Sequence, residues 1–277
     1  MYGILTDDRD LARADIGDHT YFFTEYVDGR SQDPLEGAVS SVACWGDTAT
    51  VRDEPDRAAV DADGTRATPA AEGHHWGTVC PTDSDYRDGL LELIERAGTV
   101  GGVRLTTLGF PGDSFCHCDR CERRFDASEF EDRDAWRTEV ITEFVAEAAT
   151  RVEGDLIATL YPDPYPGALR ERAGLDPHAL ATHVDGFLVP LCGPGYETIY
   201  WVESLARGFA RELEDLDASL AIQLSGTEIE PDRLAGVTRR VEPYADEIVY
   251  GTYPGDAETV EEAIQQLREE EPAVVVD

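Results

Sequence analysis

The fold is decided by the last third of the chain, where residues 220–253 read LAIQLSGTEIEPDRLAGVTRRVEPYADEIVYGTY. The apolar run Leu220–Leu224 predicts a buried strand, and Glu247–Tyr253 predicts another. Between them, Pro231–Val241 is an amphipathic stretch with helical spacing. A strand, a helix and a strand in this order predict two parallel strands with the helix packed over them.

The same alternation extends through most of the 277 residues. Further strands are predicted at Tyr2–Thr6, Thr20–Val27, Val39–Trp45, Val100–Phe110, Leu156–Tyr161 and Val184–Leu191, and further helices at Tyr86–Ala97, Asp134–Val152, Gly167–Ala173, Glu197–Leu213 and Ala257–Glu270. This pattern predicts a (β/α)8 TIM-like barrel, a fold that needs about 250 residues. An open, doubly wound sheet is the alternative, although no glycine-rich phosphate loop follows the first strand.

We expect a single barrel domain over residues 1–277 with two long loops. The helices after the first two strands look short or missing, so the N-terminal third is expected to be irregular. The loop at 47–77 is rich in Asp, Pro, Gly and Ala, and loops of this length tend to be functional or mobile. The second loop, at 112–130, contains three of the cysteines and is expected to bind a metal.

The chain is strongly acidic, with 58 acidic and 23 basic residues, a formal net charge of -35 and no lysine. Such a charge repels nucleic acid and anionic membranes, which excludes both as partners. We interpret it as the adaptation of a halophilic protein, because salt screens the self-repulsion. The alternative is an acidic surface for a cationic partner. The start of the chain does not resemble a signal peptide and no run is long enough to span a membrane, so a cytoplasmic location is expected.

Four of the six cysteines have metal-ligand spacing. Cys116, Cys118 and Cys121 form a C-x-C-x-x-C run, and Cys80 lies upstream in a Thr-Val-Cys-Pro sequence. In a reducing compartment such a cluster favours zinc, and four thiolates make a closed, structural site. There are three alternatives to this zinc site: His117 replaces one cysteine as a ligand, the cysteines bind an iron–sulfur cluster, or they are simply buried thiols. The other two cysteines, Cys44 and Cys192, are expected to be inert core residues.

The sequence from Phe115 to Phe125, FCHCDRCERRF, resembles the cysteine loop of barrel glycoside hydrolases, notably the family 42 β-galactosidases. In these enzymes an upstream cysteine completes a zinc site, as Cys80 would here. Residues 40–125 are also similar to uncharacterised glycoside-hydrolase-like barrels, here of a haloarchaeal type. The resemblance implies a TIM barrel that acts on or binds a carbohydrate at its C-terminal mouth.

One position departs from this resemblance. Thr106 stands at the end of the fourth strand, where the relatives carry an acid/base carboxylate. Hydrolysis needs two facing carboxylates. We therefore predict Glu228, after the seventh strand, as the nucleophile and Asp113 or Asp163 as the acid. Acidic residues are so frequent in this chain that a carboxylate near any strand end is also expected by chance. The predicted substrate-binding residues are Trp45, Trp76, His75 and Tyr161.

Three functions stay open at the level of the sequence. The first is a carbohydrate-active hydrolase, and the second is a non-catalytic relative that binds a glycan or another small ligand in the same cleft. The third is a structural or regulatory zinc protein without a sugar role. A serine hydrolase would need a G-x-S-x-G elbow and a catalytic zinc would need histidine ligands, and the sequence has neither pattern. The sequence does not indicate an oligomeric state.

Overall fold

The computed structural model describes residues 1–193, 196 and 198–270, and its sheet is a closed barrel of parallel strands. Each strand pairs with the next, and the barrel closes through the register Tyr2↔Ile248 and Gly3↔Val249. This closure confirms the predicted (β/α)8 barrel and rules out the open sheet. The strands are β1 (Tyr2–Thr6), β2 (His19–Phe23), β3 (Val39–Ala43), β4 (Val103–Thr106), β5 (Leu156–Thr159), β6 (Gly186–Pro190), β7 (Ser219–Ser225) and β8 (Glu247–Gly251).

Helices follow the strands from β3 onward, while the first two connections are irregular, as predicted. Only a 3₁₀ turn at Leu11–Arg13 lies between β1 and β2 in the described chain. The helices are α1 (Thr48–Asp53), α2 (Ser84–Gly98), α3 (Asp119–Asp126), α4 (Arg133–Ala149), α5 (Leu169–Ala173), α6 (Pro177–Leu180), α7 (Ile199–Glu212), α8 (Pro231–Val241) and α9 (Ala257–Glu270). The helix predicted from Glu197 begins at Ile199, and Glu197 itself lies outside the described residues.

Strand residues alternate between two buried environments. On β7, Ala221 belongs to a small cluster inside the barrel, whereas Ile222 belongs to the large core between the barrel and its helices. Successive side chains of a strand point to opposite faces, and in a parallel barrel both faces are covered. This arrangement explains why the strands are short continuous apolar runs, and it identifies the side chains that point into the lumen.

Several predicted elements were too long or missed. β4 covers only Val103–Thr106 and not Val100–Phe110, because the chain bends away at Thr107. β2 ends at Phe23 because the next two residues, Thr24 and Glu25, both donate to the carbonyl of Ser41. The expectation of an irregular loop at 47–77 was wrong in part, since that segment contains α1.

Aspartate side chains cap the N-termini of four of the helices. Asp47, Asp83, Asp132 and Asp176 each accept hydrogen bonds from backbone N–H groups in the first turn of α1, α2, α4 and α6. Such caps satisfy donors that have no partner within the helix. Part of the acidic composition therefore serves local structure. Within the described residues, no helix has the length and apolar character needed to cross a membrane.

Candidate functional site

Four thiol groups meet at one point on the C-terminal side of the barrel. The sulfur atoms of Cys80, Cys116, Cys118 and Cys121 all lie within 4.8 Å of one another. The Sγ of Cys80 is 3.3 Å from that of Cys121 and 3.5 Å from that of Cys118. Zinc–thiolate bonds of about 2.3 Å place tetrahedral sulfur ligands about 3.8 Å apart. The cluster can therefore hold a metal ion with little rearrangement.

Polar groups around the sulfur atoms suit a negatively charged metal–thiolate group. The backbone N–H of Val60 donates to the Sγ of Cys116 at 3.3 Å. The hydroxyl of Thr82 lies 3.1 Å from the Sγ of Cys80 and 3.2 Å from that of Cys121. Outer hydrogen bonds of this kind fix the orientation of ligands.

His117 is not part of the thiol cluster. Its Nδ1 lies 2.7 Å from Oε1 of Glu122, and the other carboxylate oxygen of Glu122 accepts from Arg133 at 2.7 Å. The same Arg133 donates to the carbonyl of Cys116 at 3.0 Å. The imidazole thus supports the loop from outside, which argues against its use in place of a cysteine.

The thiol cluster joins two walls of a cavity. Trp76 lies four residues before Cys80, and Gly112 lies four residues before Cys116. Both Trp76 and Gly112 line a cavity of about 340 Å³ at the C-terminal ends of β4 and β5. A metal bound by the thiolates would hold these two walls at a fixed separation.

The cavity combines aromatic and polar side chains, which is the usual composition of a small-molecule site. Its aromatic residues come from three separate segments, and α5 supplies a fourth part of the wall. The side chains concerned are His74, His75, Trp76, Thr78, Thr107, Phe110, Tyr161, Asp163, Leu169 and Arg172.

Asp163 is the one carboxylate among the described residues that line this cavity, and it is 5% exposed. Its Oδ1 accepts from the N–H of Tyr165 at 2.7 Å, and its Oδ2 lies 2.9 Å from Nη1 of Arg172. Both oxygens are therefore engaged. Arg172 is the cation of the cavity, and sequence reasoning missed it because it lies in the middle of a short helix without a motif.

Thr107 has a strained backbone at the wall of the cavity. Its φ is 47°, in the left-handed region that β-branched residues rarely adopt. Its Oγ1 accepts a hydrogen bond from the N–H of Gly46 at 3.1 Å. Its carbonyl oxygen accepts one from the N–H of Trp45 at 3.2 Å. Strained residues cluster at binding and catalytic sites, so this outlier supports a function for the cavity. No sequence signal identifies such a conformation.

Four of the predicted site residues lie together in this cavity: His75, Trp76, Tyr161 and Asp163. Their roles stay predictions. The interpretation of Trp45 as a substrate platform was wrong, because its ring is completely buried in the core. Its ring centroid lies 4.8 Å from that of Phe144 and 6.2 Å from that of Tyr86.

The two other predicted catalytic residues lie outside the lining of this cavity. Asp113 and Glu228 are both exposed. Asp113 lies in the loop after β4, and Glu228 lies in the loop after β7. Glu228 has a φ of 55°, so its backbone is also in the left-handed region. Their predicted roles stay predictions.

The two remaining cysteines differ from each other. Cys44 is buried in the core, as predicted. Cys192 is exposed at the barrel mouth, so the prediction of a core residue was wrong for it. Its sulfur lies 3.4 Å from Nε2 of Gln223, and the apolar strand context ends two residues earlier at Pro190.

No protein-family model and no curated protein matches the sequence. Solved structures do match the fold. An α-L-fucosidase isoenzyme 2 from Paenibacillus thiaminolyticus is 11% identical, with a TM-score of 0.67 over 96% of this chain and 49% of that chain. The catalytic domain of a β-amylase from Paenibacillus polymyxa is 7% identical, with a TM-score of 0.54 over 98% of this chain and 99% of that one. An α-amylase from Lactobacillus plantarum is 10% identical, with a TM-score of 0.52 over 96% and 79%.

These neighbours are TIM-barrel glycosidases, and at such low identities the likeness shows the fold alone. The chain spans about half the length of the fucosidase that it matches. Functional assignment therefore depends on the site itself.

Proposed function

We propose that this protein is a glycoside-hydrolase-like barrel that binds and acts on a carbohydrate at its C-terminal mouth, with a structural zinc beside the site. The observation that carries the proposal is the cavity of about 340 Å³ in which Trp76 and Tyr161 lie with the Asp163–Arg172 ion pair. Active sites of TIM barrels lie at this face. Glycosidases among the structural neighbours support the same class of ligand.

The chemistry of the cavity suits a sugar. The aromatic faces of Trp76 and Tyr161 provide apolar surface for a pyranose ring. Burial raises the pKa of Tyr161 to about 12, so its hydroxyl stays protonated and can donate a hydrogen bond to the ligand. The carboxylate of Asp163 and the guanidinium of Arg172 supply an acceptor and donors for sugar hydroxyls.

For hydrolysis we propose Glu228 as the nucleophile and Asp163 or Asp113 as the acid. Asp163 is the candidate inside the cavity, but its Oδ2 is held 2.9 Å from Nη1 of Arg172 and its Oδ1 accepts from the N–H of Tyr165. A general acid has to reach the glycosidic oxygen, so Asp163 would have to leave these contacts to act, and Asp113 is the alternative acid.

The second candidate function is sugar binding without hydrolysis. The observation that favours it is Thr106, which occupies the end of β4 where the resembling glycosidases carry a carboxylate. Its hydroxyl donates to the carbonyl of Val42 at 3.3 Å, so it serves the strand rather than a ligand.

We assign the metal as zinc in a structural role. Four thiolates close a tetrahedral site and leave no position for substrate, which excludes a Lewis-acid role for this ion. Cys80, Cys116, Cys118 and Cys121 would hold it, and the ion would fix the cavity walls at Trp76 and Gly112.

The proposal is tested by calorimetric titration of mono- and disaccharides in molar KCl, and by a screen of chromogenic glycosides. Trp76→Ala should weaken sugar binding about fivefold or more, because the loss of one stacked aromatic contact is worth about 1 kcal/mol or more. Trp201→Ala is the matched control, since Trp201 is exposed on α7 and outside the cavity. Equal effects of the two substitutions would reject the cavity as the sugar site.

Hydrolysis is tested separately. Glu228→Gln should abolish turnover of any glycoside that the wild type cleaves, whereas Glu230→Gln, two residues further along, should not. Turnover that survives Glu228→Gln rejects the nucleophile, and sugar binding without any turnover supports the second candidate function.

A further inference from the structure

Arg104 is a buried cation in the lumen of the barrel. It pairs in register with Ile157 of β5, whose side chain belongs to the inner cluster, so Arg104 also points inward. Its Nε donates to Oγ1 of Thr159 on β5 at 3.0 Å, and its Nη2 donates to Oε1 of Gln223 on β7 at 3.1 Å. The guanidinium therefore spans the lumen from β4 to β7.

The charge of Arg104 has no anionic partner among the described residues. Both hydrogen-bond acceptors are neutral, and Nη1 has no partner. Burial lowers the pKa of Arg104 to about 10, and the ionisable groups near enough to oppose this effect are Tyr21 and Cys192. Arg137 is equally buried, but it donates to the carboxylate of Asp134 at 3.1 Å.

An unpaired guanidinium is costly at this depth. A buried charge normally requires a counter-charge, and arginine does not escape the cost by losing its proton. The chain has 58 acidic residues, yet none of the described ones forms an ion pair with Arg104. The interior position of Arg104 therefore leaves its charge for a partner from outside the chain.

The layer above the guanidinium is partly exposed to solvent. Thr106, two residues after Arg104, is only half-buried although it points into the barrel. Gln223 and Pro190, which pair with each other in register, also point into the barrel and are half-buried. Cys192, further along the chain, is exposed. Partly exposed side chains at this end of the lumen thus separate Arg104 from solvent.

We propose that Arg104 is the receptor for the carboxylate of an acidic sugar, a uronic acid, bound at the barrel mouth. The inference rests on the proposed carbohydrate function and specifies the class of sugar. One guanidinium with neutral neighbours balances one negative charge, and its planar fork matches a carboxylate. A doubly charged phosphate would add an uncompensated charge to a chain of net charge -35.

Arg104 and the proposed sugar site both lie beside the C-terminal end of β5. Tyr161 lines the cavity described above, and it lies two residues beyond Thr159, the acceptor of the Nε hydrogen bond of Arg104. In the inferred complex a pyranose ring packs on Tyr161 and its carboxylate points toward the lumen. The amide Nε2 of Gln223, which donates to Sγ of Cys192 at 3.4 Å, is a second donor at the same end of the lumen.

The test compares glucuronate, its neutral methyl ester, glucose 6-phosphate and acetate by calorimetric titration in the same buffer with molar KCl. For the wild type we expect glucuronate to bind about tenfold or more tightly than the ester, as one charge-assisted hydrogen-bond pair provides. Arg104→Gln should bring this ratio to about one. Arg211→Gln, an exposed arginine at the end of α7, removes the same charge and should leave the ratio unchanged.

Each outcome decides the inference. Equal affinity of the wild type for acid and ester overturns it and leaves the carbohydrate function intact, whereas tighter binding of glucose 6-phosphate overturns the choice of carboxylate. Acetate that binds in an Arg104-dependent manner, with no preference for any sugar, supports the anion site and contradicts the carbohydrate function. If Arg104→Gln does not fold, Arg104→Lys keeps the charge without the planar fork and should lower the ratio, and the wild-type comparison needs no variant.

Discussion

The guanidinium of Arg137 donates a hydrogen bond from Nη2 to the carbonyl oxygen of Gly112 at 2.6 Å. Arg137 lies on α4 and is completely buried. It also donates to the carbonyl of Glu171 at 2.8 Å and to that of Arg172 at 3.1 Å. Gly112 belongs to the wall after β4, and Arg172 belongs to α5. One side chain therefore joins two walls of the cavity beside the thiol cluster.

Substitution of Arg137 by methionine should destabilise the protein. Four carbonyl groups, those of Gly112, Asp113, Glu171 and Arg172, lose a donor, and we expect the free energy of unfolding to fall by about 3 kcal/mol. Urea denaturation in molar KCl measures this change in the free energy of unfolding. Arg207→Met, at an exposed position of α7, is the control and should change stability by about 0.5 kcal/mol or less. Similar losses in both variants would show that Arg137 contributes no specific stabilisation.

Removal of one thiolate should release the metal. Native mass spectrometry of the wild type should show one zinc ion per chain, and Cys118→Ser should show none. The variant should also melt at a lower temperature, because metal binding to the folded chain stabilises it by mass action. Cys192→Ser, outside the cluster, should retain the metal. A metal content that is the same in both variants contradicts the four-cysteine site.

The barrel and the metal site were predictable because each depends on a local pattern. Ala221 and Ile222 face different cores, yet both are apolar, so β7 reads as one continuous run. The short C-x-C-x-x-C spacing restricts three sulfur atoms to a small volume, whatever the rest of the fold. The position of Cys80 followed from chemistry, since a tetrahedral site needs a fourth ligand.

The content of the cavity was only partly predictable. Trp45 and Trp76 both border the loop at 47–77, and nothing in the sequence separates them. Trp45 is buried because Tyr86 and Phe144, from two distant helices, pack against its ring. Tertiary contacts of this kind have no local signal. Arg104 was missed for the same reason, because its place in the lumen depends on the register of β4 against β5.

Trp45 should contribute to stability and not to ligand binding. Trp45→Ala removes a fully buried ring and should lower the free energy of unfolding by about 3 to 5 kcal/mol. Trp45→Phe keeps most of the apolar contacts and should cost less. Trp201→Ala, at a half-exposed ring, should have a small effect. A substitution at Trp45 that weakens sugar binding without a loss of stability would restore its interpretation as a platform.

Glu25 gives the protein a specific pH dependence. Its carboxyl group lies between β2 and α2, where burial raises its pKa from 4.5 to about 7, with Asp47 as a second cause and Arg96 acting in the opposite direction. The folded state therefore retains a proton that the unfolded state releases between these two pH values. Stability contributed by this group is greatest below about pH 4.5 and declines as the pH rises to about 7.

Glu25→Gln should remove this decline. The variant should gain stability relative to the wild type as the pH rises from about 5.5 to about 8.5, by about 1 kcal/mol, since partial exposure screens the full effect. Urea denaturation at several pH values in molar KCl measures the difference between the two curves. Glu258→Gln removes the same charge from an exposed site of α9, and its curve should stay parallel to that of the wild type. A parallel curve for Glu25→Gln as well would mean that Glu25 titrates alike in the folded and unfolded chain, and that the acid-rich surface alone governs the pH dependence.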